Sequence, residues 1–133
     1  MVKDRFVHYV TGYKEIDDEH FAMLLVMDEA ILLLREKPPC PIKLKEVLTR
    51  IQTALLAHLI HEEALMTAAN YKYTVAHTVA HDDLRIRMRN LLETTDFGHI
   101  NVAEILKELE FILVAHIDGY DMQIKLWSLC KLL

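Results

Sequence analysis

The chain has 133 residues, with 15 Lys+Arg against 20 Asp+Glu and a net charge of −5, which fits one ordinary domain and not a nucleic-acid binder. Hydrophobic residues make up 53%, too many for a disordered chain, yet no apolar run approaches the roughly 20 residues that cross a bilayer. With only three Gly and three Pro, the frequent turns of a sandwich or barrel are missing, so the fold is expected to be all-α.

Residues 1–16 mix aromatic and polar groups without a sustained period and read as an extended arm. The first 20 residues hold no apolar stretch of signal-peptide type, so the expected location is cytoplasmic. A first helix is expected over 17–36, with Ile16, His20, Met23, Leu24, Met27 and Ile31 on its inner face and Asp17 and Asp18 suited to its N-terminal dipole. Pro38, Pro39 and Pro41 around Cys40 end it. A second helix, about 42–69, carries Leu48, Ile51, Leu55, His58, Glu62 and Met66 on one stripe, and Asn70 stops it. A third, about 74–93, carries Thr74, His77, His81, Leu84, Met88 and Leu91, with Thr74 as its N-cap. A turn at 94–100 containing Gly98 leads to a fourth helix, which starts at the N-cap Asn101 and runs through Ile105, Leu109, Ile112, Leu113 and His116. A short final helix over about 120–132 adds Ile124, Trp127 and Leu129. The whole chain, 1–133, is thus expected to be one domain. It comprises an arm, an up-down-up-down four-helix bundle over about 17–119, and a C-terminal helix. Cys40 and Cys130 form no CxxC pair and read as reduced thiols.

Histidine is the anomaly. His58 and Glu62, and likewise His77 and His81, are four residues apart, so each pair lies on one face of its helix. His20 and His116 fall in register with the buried faces of their own helices. One histidine on an apolar face is usually a satisfied core residue. Five converging on one axis each need a partner, and an apolar interior offers few except a metal. His116 and Asp121 are five residues apart, about 140° around a regular helix, and can face one centre only if the helix deforms between them. Gly119 lies in that interval, so an irregularity such as a π-bulge is expected within 116–121.

Five imidazole nitrogens, with Glu62 and Asp121 each bridging two metals, leave about one free position on a pair of octahedral irons that share an oxo or hydroxo bridge. A single vacancy suits a small diatomic ligand. Imidazole and carboxylate donors suit iron, and zinc offers no redox chemistry. Met23, Met27, Met66 and Met88 read as core filler, because hard iron prefers nitrogen and oxygen donors. His8, His61 and His99 lie off the pattern. His61 is expected at the surface or hydrogen-bonded to a carboxylate, and Glu63 and Asp82 are expected to be solvated or to serve as caps.

These residues resemble hemerythrin. The segment Ile16-Asp17-Asp18-Glu19-His20 is similar to the family's first ligand segment, and His58-Leu59-Ile60-His61-Glu62-Glu63 with Leu65-Met66 is similar to the second. Tyr71 followed six residues later by His77, then His81-Asp82-Asp83-Leu84, resembles the third, and His116-Ile117 with Asp121 the fourth. The resemblance spans most of the chain and implies two non-haem irons with an oxo or hydroxo bridge that bind O₂ reversibly. It implies that His77, His81 and His116 hold a coordinatively full iron, that His20 and His58 hold the open one, and that Glu62 and Asp121 bridge. Two positions depart from the family: Ile112 stands where members often have an aromatic residue, and Lys72 where they often have proline. Loss of the aromatic is expected to widen the pocket beside the open iron and to speed autoxidation.

An O₂-binding protein for storage, delivery or scavenging is the leading expectation, with dioxygen as ligand and NO or small anions as further candidates. It is expected to be a monomer or weak homo-oligomer and not an enzyme. The alternatives are an O₂, NO or redox sensor read by a separate partner, and a di-iron peroxidase or NO-consuming enzyme. Oxygen-inserting di-iron enzymes usually draw on Glu-x-x-His motifs, which this histidine-rich set lacks.

Overall fold

A computed structural model describes residues 7–93 and 102–131. Among these the chain is helical and contains no strand. It forms α1 (Lys14–Leu34), α2 (Pro41–Ala68), α3 (Thr74–Glu93), α4 (Val102–His116) and α5 (Met122–Lys131), with a π-helical turn at Ile117–Asp121 joining the last two. None of these helices is long and apolar enough to cross a membrane. The turn at 94–100, the cap at Asn101, His99 and residues 1–6 and 132–133 lie outside the described residues.

Local chemistry sets the helix ends. α1 begins three residues earlier than expected, because the amide of Asp17 donates to the Tyr13 carbonyl at 2.9 Å. Pro41 opens α2, where a missing N–H costs nothing and the fixed φ already suits a helix. Asn70 ends it in the left-handed region at φ 54, and the Tyr71 amide then reaches back to the Met66 carbonyl at 2.9 Å. Thr74 is not an N-cap: its hydroxyl donates to the Tyr71 carbonyl at 2.7 Å instead of accepting from the helix.

The arm is not extended throughout, since residues 7–9 form a short 3₁₀ turn. Asp17 fastens its last residues to α1. Its Oδ1 accepts from both the amide and the hydroxyl of Thr11 at 2.7 Å, and its Oδ2 accepts from the Gly12 amide at 3.1 Å. Gly12 needs its glycine, because φ is +93.

α1 packs on α2, α2 on α3, and α4 on both α1 and α3. The first pair runs antiparallel: Glu29 meets Arg50 at 2.9 Å, while Glu19, ten residues earlier, meets His61 at 2.7 Å. The inner stripes merge into one core in which Leu24, Met27, Ile51, Leu59 and Leu109 are wholly buried. Every stripe residue expected inside α2 is buried, and the methionines at 23, 27, 66 and 88 are core residues. Leu129 is the exception on α5, being exposed where Ile124 is buried. A second, smaller cluster of Met66, Tyr71 and Ile124, with Tyr13 and Trp127 against it, ties α5 to the rest, and the Tyr13 hydroxyl reaches Ser128 Oγ at 2.5 Å.

The π-turn falls within the 116–121 interval in which a deformation was expected, and it does not sterically require the glycine there. A Cβ placed on Gly119 would meet nothing within 4 Å, and its φ is not left-handed. The wider turn is instead what carries the Asp121 side chain to the same side as His116. Gly119→Ala should therefore leave the turn intact and change stability by no more than about 1 kcal/mol, in the stabilising direction. A denaturant midpoint that falls markedly in this variant would contradict that.

Candidate metal centre

All seven residues singled out from the sequence, His20, His58, Glu62, His77, His81, His116 and Asp121, are buried and meet between the helices. α1 supplies His20, α2 His58 and Glu62, α3 His77 and His81, and α4 with the π-turn His116 and Asp121. They fall into two groups that share both carboxylates. Glu62, His77, His81, His116 and Asp121 form one, and His20, His58, Glu62 and Asp121 the other, with the donor atoms of each group within 4.8 Å of one another.

The carboxylate oxygens divide between the groups. Glu62 Oε1 lies 2.7 Å from His77 Nε2 and 3.1 Å from His81 Nε2, while its Oε2 lies 3.3 Å from His58 Nε2. Asp121 Oδ1 lies 3.0 Å from both His77 Nε2 and His116 Nε2, and its Oδ2 lies 2.8 Å from His20 Nε2. The Nε2 atoms also crowd each other, at 3.2 Å for His20 and His58 and 3.4 Å for His77 and His116. Glu62 Oε2 and the Nδ1 atoms of His20, His58 and His77 are buried without a hydrogen-bond partner. The crowded inward Nε2 atoms, the anionic oxygens between them and the unsatisfied Glu62 Oε2 are what a cation would resolve.

A model of the hemerythrin HHE cation-binding domain matches residues 11–125, nearly the whole chain. The chain belongs to the hemerythrin family. No curated protein and no solved structure gives a significant match to it. Cation binding in a hemerythrin domain accords with the donor set, which is rich in imidazole and carboxylate and contains no thiolate.

In the metal-free hemerythrin domain the cluster holds itself together by charge. Burial pushes the His58 and His77 imidazoles down, but the nearby carboxylates of Asp121 and Glu62 outweigh it, raising them to about 10 and about 9. Burial pushes the Glu62 and Asp121 carboxyls up, yet the surrounding imidazoles win, holding Glu62 down to about 2 and Asp121 well below its usual range. The raised histidines contribute stability that is complete below their unfolded value of 6.5 and is lost as pH climbs through about 9 to 10. The lowered Glu62 contributes stability that is complete above 4.5 and is lost as pH falls through about 2. Thermal melts of chelator-treated protein should thus give the highest Tm between these limits, near pH 5 to 6, with a decline toward pH 10; a Tm that rises over that alkaline range would contradict the charge network.

The neighbours of the cluster fall partly as expected. Glu63 is not simply solvated: its Oε2 lies 3.0 Å from His81 Nδ1 and accepts from Arg85 Nη2. His61 is exposed, as its helical phase implied, and its Nδ1 lies 2.7 Å from Glu19 Oε2. Asp82 pairs with Arg85 at the surface. The Tyr120 ring stacks on His116 at 5.4 Å. Ile112 lines a hollow with His116 and Tyr120, so it lies beside the three-histidine group, and the expected effect on the two-histidine position gains no support from its place in the fold.

Proposed function

We propose that this hemerythrin domain binds dioxygen reversibly at two irons linked by an oxo or hydroxo bridge. His77, His81 and His116 would hold one iron, His20 and His58 the other, and Glu62 and Asp121 would span both. The observation that carries this reading is the unequal division of the cluster: three histidines on one side, two on the other, and each carboxylate turning one oxygen to each side. The side with fewer nitrogens is where a small ligand would bind. When bound, two irons supply two electrons to such a ligand, which one redox-inert zinc could not do.

The chain's own residues do the rest. Leu24, Leu59, Leu109 and Leu113 belong to the packed core of the bundle and keep bulk water from its interior, and the two carboxylates offset the charge of the metals. The role is binding and not catalysis, on one domain of up-down-up-down topology spanning 1–133 and working in the cytoplasm. The test is spectroscopic. Reduced anaerobically and then exposed to air, the iron-loaded protein should gain a visible charge-transfer band that bleaches on deoxygenation and returns. A protein that oxidises in one pass and never bleaches would refute reversible binding.

A further inference from the structure

We infer that Glu63 and Arg85 are positioning residues for the three-histidine side of the centre, acting through His81; the inference rests on the reading that the cluster holds metal. His81 is fully buried. Its Nε2 faces Glu62 Oε1 at 3.1 Å, while its Nδ1 faces Glu63 Oε2 at 3.0 Å. A neutral imidazole carries one proton, and a carboxylate at Nδ1 keeps it there, so that the Nε2 lone pair is aimed at the centre. His20, His58 and His77 lack this arrangement, since their Nδ1 atoms have no hydrogen-bond partner. Glu19 comes nearest to repeating it, beside His58, but its Oε1 stands 3.5 Å from Nδ1 and its other oxygen is taken by His61.

Glu63 itself needs an anchor, because it sits at the bundle surface about one-quarter exposed and would otherwise swing into water. Arg85, one helical turn beyond His81 on α3, provides it. Its Nη2 donates to the same Glu63 oxygen, and its Nη1 donates to Asp82 Oδ1 at 2.9 Å, which fixes the plane of the guanidinium. A histidine backed by a carboxylate is a more basic, more electron-rich donor, so this chain of contacts favours the oxidised state of the metal it serves and leaves the other position alone.

The experiment titrates iron(II) into the metal-free wild type, Glu63→Gln and Arg85→Gln, and measures the reduction potential of each loaded form. Wild type should take up two irons. Glu63→Gln should weaken one of the two by roughly tenfold to a hundredfold while the second keeps its affinity, and should shift the potential upward. Arg85→Gln should weaken the same position by a smaller factor, and Arg85→Lys should restore part of the loss. If Glu63→Gln does not fold, Arg85→Gln decides. Two irons bound by both variants at wild-type affinity and potential would overturn the role of Glu63 and Arg85 while leaving the metal reading intact. A wild type that takes up no iron would overturn both.

Discussion

Glu62→Ala should purify with almost no iron, whereas His20→Ala should keep about one iron per chain. The difference follows from which atoms each side chain brings. His20 has one inward nitrogen, and it belongs to the two-histidine group alone. Glu62 turns Oε1 to His77 and His81 and Oε2 to His58, so truncating it removes an anionic donor from both groups at once. What remains is a ring of buried imidazoles with a single carboxylate, where a cation has lost half of the negative charge that offset it. Asp121→Ala should behave in the same way, because its two oxygens divide similarly. Colorimetric iron analysis on protein whose helicity has been checked by circular dichroism measures this. Two irons retained in Glu62→Ala would contradict the bridging assignment.

Removing metal should cost stability on a scale that a melt detects easily. A ligand that binds the folded chain only, at a thousand times its Kd, stabilises by about 4 kcal/mol. For a domain of this size that corresponds to a Tm roughly 10 to 20 °C higher. The structure gives a reason to expect the upper part of that range. Without metal, Glu62 Oε2 is buried and unsatisfied, and pairs of Nε2 atoms sit as close as 3.2 Å. A chelator should therefore lower the Tm and soften the bundle first around the π-turn, where hydrogen exchange at 117–121 should quicken more than in the middle of α2. Equal Tm with and without chelator, in protein shown to have bound iron beforehand, would mean that the cluster gains nothing from the metal.

The candidate ligands were legible because helical periodicity carries chemistry as well as hydrophobicity. His58 with Glu62, and His77 with His81, declare a shared face through their spacing alone, and the apolar residues around them say that the face points inward. Even the π-turn was foreseeable, since a five-residue interval between two inward donors does not fit a regular helix. Gly119 lies inside the turn without being sterically required there, since a Cβ would meet no atom within 4 Å.

Contacts between helices were the part the sequence withheld. Glu63 follows Glu62 by about 100° of helical rotation, and nothing in α2 alone says that α3 is turned so as to bring His81 Nδ1 within 3.0 Å of it. The hold of Asp17 on Thr11 and Gly12 was hidden for a similar reason, because it depends on the path of an aperiodic arm and not on a repeat. Thr74 shows the limit of residue-type preferences. A threonine at a helix start looks like a cap, but here its hydroxyl found the preceding turn's carbonyl first.

Anomalous diffraction at the iron edge, on crystals of the loaded protein, tests the paired centre most directly. Two neighbouring peaks are expected, both between Glu62 and Asp121, one ringed by His77, His81 and His116 and the other by His20 and His58. A single peak, or iron found away from these side chains, would contradict it.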